Sequence, residues 1–147
     1  MTRRQQTIII LILGALSTVS PFAIDMYLAA FPAIAKDLHT TIADVQLSLT
    51  SYFIGIAAGQ LLYGPLLDRF GRKLPLYAGM IAYILASVGC AYTTSVDALI
   101  AMRFLQALGG CAGMVAAQTL VRDLFPVERT AHAFSWMILV VAVSPMI

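Results

Sequence analysis

Four uninterrupted apolar stretches decide what this chain can become: Ile8 to Ala30, Val45 to Leu67, Leu74 to Tyr92 and Ala98 to Val121. Between them they hold two charged residues, Asp25 and Arg103. Each stretch is long enough to cross a hydrocarbon layer about 30 Å thick, which takes roughly 20 helical residues. Inside that layer the backbone finds no water, so each stretch must satisfy its own N–H and C=O groups as a helix. A fifth apolar run starts near Ala133 and continues to Ile147 with no polar or basic residue to end it. The expected fold is therefore an all-α integral membrane bundle, with spans at about 8–30, 45–67, 74–92, 98–121 and 133–147. Residues 1–147 are expected to form one partial N-terminal transmembrane bundle whose last span is cut mid-helix.

A water-soluble alternative fails on composition. Hydrophobic residues make up 61% of the 147 and charged residues 11%, against roughly 45–50% and about 25% in soluble domains. The net charge of +2 is small, and the basic residues flank the spans instead of forming one stripe. That pattern excludes nucleic acid as a partner and reports topology. One set of loops receives Arg3, Arg4, Arg69, Arg72, Lys73, Arg122 and Arg129, the other only Lys36, and seven against one predicts a cytoplasmic N-terminus. Arg3-Arg4 followed by an apolar run also suits a cleavable leader, but the run continues past Ser17 to Ala30, as a retained span does. Cys90 and Cys111 both fall within spans and imply neither a disulfide framework nor a metal site.

The expected connections are 31–44 and 93–97 on the outside, and 68–73 and 122–132 on the inside. Thr41 with Asp44 has the spacing of a capping box before the second span, and Ser95 is placed to cap the fourth. Pro21 is expected to kink the first span near Asp25. Gly55 and Gly59, and likewise Gly109 and Gly113, stand four apart, the spacing that lets membrane helices approach closely. The first three spans and the partial next three have the layout of two copies of a three-helix unit.

No nucleotide loop, zinc-protease signature or nucleophile elbow occurs. His39 and His132 fall in opposite loops, so the chain does not read as an enzyme. Its most specific segment is Gly64-Pro65-Leu66-Leu67-Asp68-Arg69-Phe70-Gly71-Arg72-Lys73-Leu74-Pro75-Leu76. A loop that only fixed topology would need the cations alone. Asp68, however, stands at the C-terminal end of a helix, where a carboxylate opposes the helix dipole unless a cation compensates it. Gly64, one turn earlier, bares backbone on the same face, and Gly71 permits the turn. The arrangement reads as a docking site for another helix end.

This segment resembles the G-x-L-a-D-r-x-G-r-k-x-x-l motif of the major facilitator superfamily, departing from it only at Leu67, where the family usually carries a small residue. The resemblance implies a conformational latch at Gly64, Asp68, Arg69, Gly71, Arg72 and Lys73, closing against the second half of a twelve-span transporter. Leu99 to Gly109 is similar to the fourth-span pattern l-x-x-x-R-x-x-q-G-x-g, with Ala107 in place of the usual Gly. Ser20 to Pro32, with its Asp25-Met26-Tyr27-Leu28 core, is similar to the first-span signature of drug:proton antiporters. With the Arg122-Asp123 ending of the fourth span, it most resembles the Bcr/CflA subfamily, exporters of bicyclomycin, chloramphenicol-like compounds and other small molecules. The family's Gly- and Pro-rich fifth-span motif would follow near Ser144-Pro145.

Asp25 and Arg103 need partners or water, because a charge at membrane depth costs at least about 2.5 kcal/mol. Counted from the expected span ends, both lie roughly 8 Å below the outer boundary, so they are expected to meet across one cavity. A carboxylate pulled toward neutrality by desolvation and toward the anion by an arginine changes protonation on small rearrangements. The expected roles are Asp25 as the proton-responsive or substrate-contacting carboxylate and Arg103 as its electrostatic tuner. A static structural ion pair is the alternative. Tyr27, Gln60, Gln106 and Gln118 are candidate polar groups of the cavity. The expected function is proton-coupled efflux of small, mostly hydrophobic drug-like compounds across a bacterial inner membrane. Its partners would be the lipid bilayer, protons and the missing C-terminal half, with no cofactor beyond the proton gradient. The alternatives are a metabolite or sugar symporter of the same superfamily, or a truncated membrane protein without transport activity.

Overall fold

A computed structural model describes residues 3–143, and they form five helices joined by very short turns. The helices are α1 (Arg3–Asp37), α2 (Ile42–Phe70), α3 (Lys73–Tyr92), α4 (Val96–Leu124) and α5 (Val127–Val143). The first four are long and apolar enough to cross a membrane. The end of the bundle that carries Arg3, the 71–72 turn and the 125–126 turn is called the basic end here.

Every helix outlasts the apolar run that announced it. α1 continues seven residues beyond Ala30, so the outer connection expected at 31–44 shrinks to 38–41. Pro21 and Pro32 both sit inside this helix, which runs through them unbroken. Phe31 and Ala35 hold the extension in place by packing with Tyr27 on Val45 of α2 and Leu99 of α4. At the basic end, α5 starts at Val127 and not near Ala133, which reduces the 122–132 loop to Phe125 and Pro126. Pro126 has no N–H to lose at a helix start, and its carbonyl accepts from the amides of Arg129 (2.8 Å) and Thr130 (3.0 Å). The expected continuation through Ser144-Pro145 lies outside the described residues.

The caps expected from sequence are present. Thr41 Oγ1 accepts from the Asp44 amide (3.2 Å), while Asp44 Oδ2 accepts from the Thr41 amide (3.3 Å). Ser95 Oγ accepts from the Ala98 amide (3.3 Å).

α4 is the central helix, with 50% of its most apolar window buried against 17–28% for the other three spans. Glycines bring its neighbours in. A methyl at Gly55 of α2 would stand 2.6 Å from Ala107 Cβ, and one at Gly109 would stand 2.5 Å from the Tyr83 amide nitrogen of α3. Backbones at that separation gain dispersion contacts where lipid removes the hydrophobic drive for association. At the basic end, Leu13 of α1 joins Ala117, Val121, Phe125, Ala133 and Met137 in a second core that seats α5. α1 packs on α2, α4 and α5, while its backbone stays clear of α3, which leaves a cleft over α4 between α1 and α3.

Candidate functional site

That cleft, about 790 Å³ in volume, carries Arg103, the charged residue within the apolar run of α4. Arg103 is 4% exposed, and among the described residues no carboxylate pairs with it. Its guanidinium carbon lies 3.3 Å from the centre of the Tyr27 ring and 5.3 Å from that of Tyr52. Nη1 donates to Gln106 Oε1 (2.7 Å). The Gln106 amide passes the connection on to α3, its Nε2 donating to Ser87 Oγ (2.8 Å), which donates to the Tyr83 carbonyl (2.8 Å). Ser48 Oγ donates to the Val45 carbonyl (2.5 Å), which leaves it to accept from the Tyr27 hydroxyl.

The arginine is thus held by aromatic faces and amides and not by an anion. A buried cation without an acid is costly, and two π faces recover part of that cost, on the order of 2 kcal/mol for a desolvated cation–π contact. The same contacts pin four helices: Tyr27 on α1, Tyr52 on α2, Ser87 on α3 and Arg103 with Gln106 on α4. Among the described residues Arg103 Nε lacks a hydrogen-bond partner, while the buried Tyr52 Oη and Ser20 Oγ lie close to each other without a hydrogen bond of ordinary geometry.

Asp25 is not part of this arrangement, and the expected meeting with Arg103 does not occur. Asp25 is exposed and does not line the cleft. The reason is azimuth. Tyr27 faces Arg103, and Asp25 stands two residues earlier, about 200° round a helix of 3.6 residues per turn.

Of the four candidate polar residues, Tyr27 and Gln106 line the cleft. Gln60 and Gln118 are exposed on other faces of α2 and α4. Sequence reasoning passed over Ser48, Tyr52, Tyr83 and Ser87, whose polar tips lie in apolar runs without a charge to draw notice. It also passed over Asp37, which lines the outer part of the cleft.

At the basic end, Gly71 adopts φ 72° and ψ 177°, a conformation essentially restricted to glycine, and so turns the chain from α2 into α3 within two residues. Arg72 then forms an ion pair with Asp123 at the end of α4. Asp123 was legible by the argument already applied to Asp68, since an acid at a helix C-terminus calls for a cation. Arg69 lies over its neighbour Phe70, 5.4 Å from the ring centre. Asp68, Arg69 and Lys73 are exposed, and among the described residues no ion pair reaches Asp68. A methyl built on Gly64 would meet nothing within 4 Å. One cation of the loop is therefore bound within the bundle, while its acid and its bare backbone face outward.

Closely packed apolar helices, four of them long enough to span a bilayer, with glycine-lined contacts between them, define a multi-pass membrane protein. The chain belongs to the Major Facilitator Superfamily, whose profile matches residues 13–147, the family to which Gly64–Lys73 pointed. It is 39% identical over 146 residues to an uncharacterized MFS-type transporter, YdgK, of Bacillus subtilis, covering 99% of this chain and 36% of that protein. It is 38% identical to a chloramphenicol resistance protein of Pseudomonas aeruginosa, covering 94% and 34%. It is 40% identical to a bicyclomycin resistance protein homolog of Haemophilus influenzae, covering 100% and 37%. The chain spans about a third of the length of these relatives.

Proposed function

We propose that this chain supplies N-terminal helices of a proton-coupled exporter that moves small drug-like compounds across a bacterial inner membrane by alternating access. The observation that carries the reading is Asp25, a carboxylate at membrane depth, exposed on the described helices and unpaired among them. A charged group does not face lipid without a large penalty, so this face of α1 belongs to a watered cavity or to further protein. A carboxylate there is free to exchange a proton with each change of access. Arg103 takes a different role from the tuner first expected. Held by Tyr27, Tyr52 and Gln106, it keeps the four helices in register beside the cleft.

The names of the relatives support drug-like substrates, and seven basic residues against one support a cytoplasmic N-terminus. Asp68 and the open backbone at Gly64 suit a latch that docks on the remainder of the transporter, with Arg69, Arg72 and Lys73 as its cations and Gly71 as its turn. Energy comes from the proton gradient, with no bound cofactor. The test is a susceptibility panel on efflux-deficient bacteria expressing the full-length gene. Raised tolerance to chloramphenicol or bicyclomycin, abolished by a protonophore, is the expected result. Unchanged tolerance across the panel with the protein present in the membrane would reject export of this substrate class.

A further inference from the structure

Another large cavity of the bundle lies away from Arg103, at the basic end. It is a groove of about 620 Å³ between the first turns of α1 and the length of α5. One face of α5 places three side chains in it at single-turn spacing: Glu128, His132 and Trp136. Trp136 Nε1 donates to His132 Nε2 (2.9 Å), and the two rings meet edge to face at 6.2 Å and 80°. An indole N–H only donates, so this bond requires the neutral imidazole with its proton on Nδ1. The acid one turn earlier has the opposite preference, since a carboxylate and an imidazolium at i and i+4 attract each other.

We propose that His132 is a proton-operated switch that exchanges Trp136 for Glu128. When His132 gains a proton both ring nitrogens carry N–H, the indole loses its acceptor, and two donors face each other across Nε2. Trp136 is released, and the imidazolium turns to Glu128. One N–H bond forms at Nε2 as one O–H bond of a hydronium ion at the groove mouth breaks, leaving water, and no other covalent bond changes. The charged residues that line the groove are Glu128 and Arg129, both on α5. α1 contributes Gln6 and Thr7, and the α4–α5 junction contributes Phe125, none of them ionisable. Among the described residues, no charge from a neighbouring helix therefore lines the groove to compete with Glu128 for the imidazolium. Trp136 forms a wall of the groove together with Ile10 and Leu11, so its release changes how α1 and α5 meet at this end. Histidine side chains change charge between about pH 5 and 8, the range in which a proton-driven transporter works. The inference rests on the groove geometry; only the compartment sensed, the cytoplasm, depends on the proposed orientation.

Trp136 is the one tryptophan of residues 1–147, and its emission reports the switch without any transport assay. The full-length transporter in detergent is titrated from pH 8 to 5, and the contribution of Trp136 is isolated by subtracting the spectrum of Trp136→Phe. A single-proton transition in that difference is expected. It should disappear in His132→Gln and move to lower pH in Glu128→Gln, because the imidazolium loses its partner. Circular dichroism establishes that the variants remain helical. Emission of Trp136 that does not change with pH, or the same transition persisting in His132→Gln, would overturn the proposal. Failure of export with the switch intact would refute the proposed function alone.

Discussion

Replacing Gly109 with alanine should loosen the bundle at its centre. The added methyl would stand 2.5 Å from the Tyr83 amide nitrogen, 2.6 Å from the Gly79 carbonyl oxygen and 2.8 Å from Tyr83 Cα. All three are backbone atoms of α3, so no rotamer change relieves them. Ordinary contact begins at 3.4 Å, and α3 must withdraw by roughly 0.9 Å, a gap that forfeits about a quarter to a half of each dispersion contact across the seam. Overpacking of this kind costs about 1–3 kcal/mol. Gly64 provides the control. There a methyl meets nothing within 4 Å, and the helix-propensity gain of about 0.5–1 kcal/mol is offset by crowding against Pro65. In thermal melts of the full-length protein in detergent, followed by the monodisperse fraction after heating, Gly109→Ala should fall well below the parent and Gly64→Ala should match it. In drug tolerance, by contrast, Gly64→Ala should fall below the parent, because it leaves the bundle intact but blunts the latch. If Gly109→Ala proves as heat-stable as the parent, the close α3–α4 seam is not what holds these helices.

Gly71→Ala forces a residue with Cβ into φ 72°, ψ 177° and should lower stability by about 1–3 kcal/mol, measurable in the same melts. The Arg72–Asp123 pair leaves its side chains 34% and 40% exposed, so each single neutralisation should cost no more than about 1 kcal/mol. An Arg72→Asp, Asp123→Arg exchange should recover tolerance that either single reversal loses. Arg103→Lys keeps the charge but gives up the planar stack on Tyr27 and the bond to Gln106. It should lose about 1–3 kcal/mol of stability, whereas a lysine variant as stable as the parent would show that the charge alone matters.

The helices were legible because lipid leaves the backbone one solution, and the tight glycine contacts followed from four-residue spacing. Helix ends were not, because hydropathy marks only what lies in hydrocarbon. Phe31–Asp37 and Val127–His132 are helical in polar company, held by packing on Val45 and Leu99 and by the Pro126 carbonyl. Partnerships across helices were the least legible. Counting residues from a span end estimates depth but not azimuth, and that is how Asp25 came to be set against Arg103 when Tyr27, two residues on, holds the position. The same limit separates Gln106, in the cleft, from Gln60 and Gln118, outside it. Asp123 meets Arg72 only because α4 returns beside the α2–α3 turn, 51 positions along the chain, and Ser87 matters only because Gln106 reaches it.

The proposed coupling of proton movement to export rests on Asp25, while Arg103 holds the four helices in register beside the cleft. Its most direct test is drug extrusion by the full-length protein in membrane vesicles under an imposed pH gradient, comparing the parent with Asp25→Asn at equal membrane abundance. Asp25→Asn should still bind substrate but show no acceleration when the gradient is applied. Undiminished gradient-driven export by Asp25→Asn would remove Asp25 from the coupling mechanism and contradict the account.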